Sequence, residues 1–157
     1  MYDEAVHDVK EPSSEAGAVP RRRVVELDPE EALRLLSRTP LGRIVFTRHA
    51  LPAIRPVHHL VDAGEIIVRT HEEAALTTRT REAGACGVVV AYEADEIDLV
   101  TRLGWSVVVT GYCTVVTDPQ EAARYQAMLH PWTDQHLDRV VRIRPDLVTG
   151  IRLAPAD

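Results

Sequence analysis

Apolar and polar positions alternate with a period of two through residues 41–70, LGRIVFTRHALPAIRPVHHLVDAGEIIVRT. Ile44 and Phe46 share one face of a first run. In a second run Ile54, Pro56, His58 and Leu60 share one face, and Arg55, Val57 and His59 the other. In a third, Ile66 and Val68 alternate with Ile67 and Arg69. Turn residues separate the runs at Arg48-His49-Ala50 and at Asp62-Ala63-Gly64. The pattern predicts a three-stranded antiparallel meander. Its odd feature is polar: Arg55, His58, His59 and Arg69 sit mid-strand, and such groups are seldom buried without a partner. Either this sheet surface faces water or something anionic and aromatic covers it.

The rest of the chain supplies strands and short helices around that meander. Residues 1–22 are polar and aperiodic, with Pro, Ser and Gly. They predict a flexible tail, or an arm that orders against a partner subunit, ahead of a domain over residues 23–157. Asp28-Pro29-Glu30-Glu31 offers an N-cap, a first-turn proline and a Glu three residues past the cap. Ala32, Leu33, Leu35 and Leu36 add the apolar stripe, and Pro40 disfavours helix at Thr39, so the helix ends near Arg38. Residues 71–85 predict a second helix, glutamate-first and arginine-last, closed by Gly84. Residues 86–95 read as a strand, 93–98 as an acidic connection, and 103–118 as a long strand with a bulge or bend at Gly111. Asp118-Pro119 opens a third helix to about Leu129, residues 130–137 are irregular, and two strands about a turn at Pro145-Asp146 close the chain. With six or seven antiparallel strands, three short helices and no βαβ rhythm, the class is mainly β with peripheral α. A closed or split antiparallel barrel fits best.

Composition narrows the partners. The 157 residues suit one domain. Aromatics make up only 4%, too few for a stacking platform on single-stranded nucleic acid. The net charge of −6, from 18 basic and 24 acidic residues, argues against a polyanion-binding surface. Cys86 and Cys113 are too isolated for a disulfide framework and are expected to be reduced core residues. With no apolar run of membrane-spanning length and no signal-peptide pattern, the expectation is a soluble cytoplasmic protein without membrane contact.

Chemistry has few places to reside. Arg55 and Arg69 fall on adjacent strands, with Thr70, His71, Arg79 and Arg81 around the following helix. Guanidiniums and a hydroxyl near a helix start make a sensible phosphate site. Taken by residue type alone, the same arginines suit better a solvated surface paired with Glu72, Glu73 and Glu82. His58 and His59 point to opposite faces of a strand and cannot share a metal ion. His49, His71, His130 and His136 lack ligand spacing, so no metal is expected. No phosphate-binding glycine loop or dinucleotide fingerprint is present, and Ser106 and Cys113 have no convincing base for nucleophilic work. Trp105 and Trp132, the only indoles, read as core or interface residues that at a subunit junction could also meet a ligand.

The order of a helix, LGRIVF, PAIRPVHHLVD, IIVRT and a short helix, followed by GWSVVVTGYCTVVTDPQE and VVRIRPDLVTGIRL, resembles the flavin-binding split-barrel family related to pyridoxamine 5′-phosphate oxidase, in its actinobacterial form. The likeness spans about residues 24–153. It implies a homodimer with FMN in a groove between subunits, the flavin ring lying along Arg55, Pro56, Val57, His58 and His59. By position, Arg55 resembles the arginine of the oxidase strand motif, and Arg69 and Thr70 fall where the family contacts phosphate. The second subunit would complete the pocket, with Trp105 and the Trp132 to His136 stretch as candidates. Relatives carry a Thr-Lys or Arg-Lys pair where this chain has Ala74-Ala75. One missing charge-assisted phosphate contact costs roughly 1.5–3 kcal/mol, about ten- to a hundredfold in affinity. Arg79 or Arg81 substitutes only if the helix turns it inward. The resemblance thus implies an oxidoreductase acting on a small molecule. The alternative is a non-catalytic or regulatory dimer that binds a deazaflavin, a heme-like ligand or nothing, or whose groove is filled by residues 1–22.

Overall fold

The computed structural model describes residues 20–71, 75–132, 134 and 137–156. Residues 1–19 of the expected tail, residues 72–74 with Glu72, Glu73 and Ala74, and His136 lie outside the described residues.

Among the described residues seven strands and three α-helices follow in chain order: β1 (Arg22–Glu26), α1 (Pro29–Arg38), β2 (Leu41–Arg48), β3 (Leu51–Asp62), β4 (Glu65–Thr70), α2 (Ala75–Ala83), β5 (Val88–Ile97), β6 (Gly104–Val115), α3 (Pro119–Met128) and β7 (Arg139–Pro155). All pairings are antiparallel, in the order β1-β7-β4-β3-β2-β5-β6, and β6 returns to β7. Six strands therefore close into a barrel, with β1 added to the C-terminal end of β7. No helix among the described residues is long and apolar enough to cross a membrane.

Both proline-opened helices form as the sequence predicts. Asp28 caps α1 through Glu31 N–H at 2.9 Å, and Asp118 caps α3 through Gln120 N–H at 2.9 Å. The meander also forms, and its two turns carry positive φ at both central residues: His49 and Ala50 in one, Ala63 and Gly64 in the other. That geometry matches the right-handed twist of a hairpin. The barrel interior is filled by alternate strand residues, among them Ile44, Phe46, Ile66, Val68, Val107, Val109 and Ile143, and α1 packs Ala32 and Leu36 into the same core. A smaller cluster of Ile67, Val140, Tyr125 and Leu129 seats α3 outside the barrel. Asp62 pins that helix, accepting from the Tyr125 hydroxyl at 2.6 Å and from Arg124 at 3.0 Å.

Four expectations are corrected. Arg22 is not tail but the start of β1, a strand too short and too evenly exposed to alternate. The two closing strands are one 17-residue strand. Its supposed turn is a bulge: Thr110 pairs with Leu147 and Gly111 with Pro145, leaving Asp146 unpaired. Gly111 is required opposite it, since a Cβ there would collide with the Arg144 carbonyl oxygen. The described part of the second helix begins only at Ala75 and ends in a single 3₁₀ turn over Gly84–Cys86. Cys113 is a core residue, whereas Cys86 is exposed on that turn.

Candidate functional site

β3 and β4 stay paired over only part of their length. Their ladder runs from Asp62↔Glu65 to His59↔Val68 and stops. Beyond it, β3 continues against β2 as far as the hairpin turn, while β4 continues against β7 to Thr70↔Arg139. The two strands diverge, and a cavity of about 920 Å³ fills the gap. This lies within the range of about 300–1,000 Å³ usual for cofactor and small-molecule sites.

Each wall follows from local structure. Ile44 and Phe46 of β2, with Val68 of β4, give an apolar floor. Residues 55–58 form one side and Arg69, Thr70 and His71 the other. Ala75, Thr78 and Arg79 of α2 cover one end, and Leu129, Pro131 and Trp132 the other. The β3 side also presents backbone. The His59 N–H donates to the Pro40 carbonyl at 3.1 Å, on the β2 side. Alternation along an antiparallel ladder then turns the main-chain groups of Pro56 and His58 towards the gap. There the β4 pairing has ended, so the missing N–H of Pro56 leaves no ladder bond unmade.

The predicted residues divide sharply. Arg55, Pro56, Val57, His58, Arg69, Thr70, His71, Arg79 and Trp132 share the cavity. Among the described residues Arg55 makes one bond, to the neighbouring Ile54 carbonyl at 2.8 Å, and it is exposed. Arg79 also lines the cavity but is drawn to Glu82 at 3.5 Å. Arg81 does not line it. Thr77 donates to the His71 carbonyl at 2.8 Å and lies 3.5 Å from the buried Thr70 hydroxyl. Having one proton to give, Thr77 leaves the Thr70 proton for its own oxygen or for a ligand.

Two predicted residues lie elsewhere. His59 is 5% exposed and points inward. Its Nε2 lies 2.8 Å from the Leu36 carbonyl oxygen and its Nδ1 against the Tyr92 hydroxyl. A carbonyl only accepts, so Nε2 carries the proton, Nδ1 accepts, and Tyr92 donates. Desolvation lowers the His59 pKa below the ordinary imidazole value, opposed by the Leu36 contact. Trp105 is 6% exposed within the barrel core, opposite Glu96 on β5, and does not line this cavity.

Arg69 lines the cavity yet spends its guanidinium on the chain. Nε and Nη2 both donate to the Leu137 carbonyl, at 3.0 Å for Nε, and Nη1 donates to those of Leu129 at 2.8 Å and Gln126 at 3.2 Å. It therefore caps the C-terminal end of α3 and anchors the segment that brings Trp132 onto His58, their ring centroids 3.5 Å apart. Burial lowers the His58 pKa, opposed by its hydrogen bond to the His130 backbone. The clamp uses four of the five guanidinium N–H donors, which leaves Arg69 a single Nη2 N–H for a phosphate.

Sequence reasoning missed Arg48, His49, His130 and Pro131, all of which line the cavity. Parity could have found Arg48: it shares a strand face with Ile44 and Phe46.

Comparisons with known proteins agree with this geometry. A family model described as pyridoxamine 5′-phosphate oxidase matches residues 28–152. The uncharacterized protein Rv0080 of Mycobacterium tuberculosis is 57% identical over 132 residues, 84% of this chain and 87% of that one. A Corynebacterium glutamicum structure, provisionally designated a pyridoxamine 5′-phosphate oxidase, is 32% identical with a TM-score of 0.68, covering 85% of this chain and 96% of its own. An FAD-binding protein of Mycobacterium smegmatis is 29% identical with a TM-score of 0.61, covering 83% and 98%.

Proposed function

Because the chain belongs to the pyridoxamine 5′-phosphate oxidase family, we propose that it binds a flavin in the β3/β4 cavity and acts as an oxidoreductase on a small molecule. The carrying observation is the place where the β3–β4 ladder ends at His59↔Val68. There an apolar floor, an open backbone edge and the Arg55 guanidinium converge in one cavity. This is the chemistry a flavin needs: Ile44, Phe46 and Val68 for the flat ring, the Pro56 and His58 main chain for its polar rim, and Arg55 with Thr70 for a phosphate. When bound, the flavin would supply the hydride or electron exchange, and the protein would place and shield it. His58 is held by Trp132 and the His130 backbone at the ring end, with burial favouring its neutral form.

The same reading includes a homodimer. Ile54, Val45, Ala91, Thr110 and Leu147 are successive ladder partners, so they form one row across five strands on the outer face. Ile54 and Leu147 are more than half exposed, and Val89 and Tyr112 lie beside the row. An apolar row of this kind suits a two-fold partner that presents the same surface.

Purified protein is expected to show flavin absorbance, or to gain thermal stability with excess FMN or FAD. Ligand at a hundredfold over Kd stabilises by about 2.7 kcal/mol. Colourless protein that neither flavin stabilises would overturn the reading, and a monomer by light scattering would remove its dimer part.

One observation favours a second reading. Ala75 lines the cavity with a methyl group, where the resemblance implies a lysine. A non-catalytic dimer holding a deazaflavin or a heme-like molecule would tolerate that loss. Steady NAD(P)H-dependent turnover with any acceptor would exclude it.

A further inference from the structure

Strand β1 is a sheet edge. Among the described residues it pairs with β7 alone, from Arg22↔Pro155 to Glu26↔Ile151. One step beyond that ladder the Leu27 N–H donates to the Gly150 carbonyl at 2.9 Å. Hydrogen-bonded pairs of an antiparallel ladder recur at every second residue, so Val25 and Arg23 spend their main-chain groups on β7. Those of Arg22, Val24 and Glu26 face the other way, along the open edge. The run is bounded at both ends: Pro20 has no N–H to offer, and at Asp28 the chain turns into α1. An open edge is a template for another strand unless something blocks it.

The side chains of the same three residues share one face of the sheet. Val24 is 60% exposed between a cation and an anion. Arg22 gives its Nε to the Thr101 carbonyl at 2.8 Å and keeps its Nη donors, and Glu26 has no side-chain hydrogen bond or ion pair among the described residues. Laid antiparallel against a second copy of itself about Val24, the run Arg-Arg-Val-Val-Glu is its own complement. Val24 meets Val24, and each Arg22 meets the Glu26 of the other copy. The residues so paired are those whose main-chain groups are free. A parallel pairing would set like charges side by side, and an antiparallel register shifted by two would put Val24 beside Arg22 or Glu26. Only the centred register satisfies both charges, and complementary charge is what fixes register.

We propose that β1 is an interface between copies of this chain, in which two β1 strands join antiparallel about a two-fold axis at Val24 and continue the sheet from one molecule into the next. The contact is isologous. It lies apart from the row through Ile54 and Leu147, so it adds to the dimer proposed above and does not depend on it.

Sedimentation equilibrium of the full chain over a concentration series tests it. Wild type is expected to reach at least twice the mass of V24P, which removes the edge-facing N–H and leaves the β1–β7 bonds in place. R22E and E26R each turn both cross-strand contacts from attraction to repulsion and are expected to weaken association about tenfold. Mixing R22E with E26R restores opposite charges at both contacts, so the mixture is expected to regain the wild-type mass. A folding defect cannot produce that recovery, and the mixture decides alone where V24P does not fold. A dimer through the Ile54 row would double every mass alike and leave the comparison unchanged. Equal masses for wild type and E26R would overturn the proposal, and would be the outcome if residues 1–19 or an unrelated extended peptide filled the edge. So would a mixture that stays as dissociated as its components, or a folded V24P with the wild-type mass.

Discussion

His58 and His59 are adjacent in sequence and belong to different halves of the molecule. His59 turns into the closed side of the barrel, where Leu36 accepts its proton and Tyr92 fills its lone pair. His58 turns to the split side, where Trp132 and the His130 backbone hold it at the rim of a cavity. Among the described residues no buried side-chain nitrogen or oxygen lacks a hydrogen-bond partner, so a change on the closed side costs stability. On the split side the strand edge and the guanidiniums at Arg48 and Arg55 are left for something else. Adjacency on a strand is what makes this division possible, because consecutive side chains face opposite ways.

The sharpest way to break the comparison is at Gly42. A Cβ there would lie 2.6 Å from the Cε1 and Cζ atoms of Tyr92, a ring that is fully buried and bonded to His59. G42A must displace the tyrosine, strain the β2–β5 ladder, and strip His59 of its donor. Overpacking plus a lost buried hydrogen bond predicts a destabilisation of about 3 kcal/mol in urea unfolding. A loss under about 1 kcal/mol would show that the closed side is softer than its packing implies.

The two sides were not equally legible in the sequence. Period-two alternation and two proline-led caps located α1, α3 and the meander because those signals are local. Tyr92 gave no such signal: its role depends on a glycine 50 residues earlier and a histidine 33 residues earlier meeting across the barrel. The residue types of the phosphate site were visible, but not their allegiance. Arg55 and Arg69 look alike as mid-strand arginines, and only the fold shows that Arg69 faces the carbonyls of Gln126, Leu129 and Leu137. The Pro145-Asp146 turn was misread because proline also tolerates a bulge.

Those two arginines give the next effects. R55A is expected to weaken flavin binding ten- to a hundredfold, the worth of one charge-assisted contact at about 1.5–3 kcal/mol. Unfolding should shift by less than about 0.5 kcal/mol, since among the described residues Arg55 bonds only its neighbour's carbonyl, at an exposed site. R69A should do the reverse in kind: a stability loss of about 1–2 kcal/mol from three carbonyls left without their donor. It should also change the Trp132 emission, because the segment that carries the indole to His58 is no longer held. If R69A weakens flavin binding while stability and emission stay unchanged, Arg69 is a phosphate ligand and the clamp is incidental.

The smallest effect expected is on pH dependence, and it separates the two histidines most finely. Burial lowers the folded-state pKa of His59 below its ordinary 6.5. As pH falls through about 6.5, the unfolded chain takes up a proton that the native ring resists, so the unfolded state binds more protons and native stability declines. Above about pH 7.5 both states are neutral at this site and the contribution is flat. His58 is shifted in the same direction but is far less enclosed. Stability measured from pH 7.5 to 5.5 should therefore fall less steeply in H59Q than in wild type, even though H59Q starts lower because a flexible amide replaces the rigid ring packed between Leu36 and Tyr92. H58Q should keep most of the wild-type slope. Equal slopes in H59Q and wild type would mean that the Tyr92 hydroxyl turns to accept from a charged ring, and the closed side would then tolerate a proton as readily as the open one.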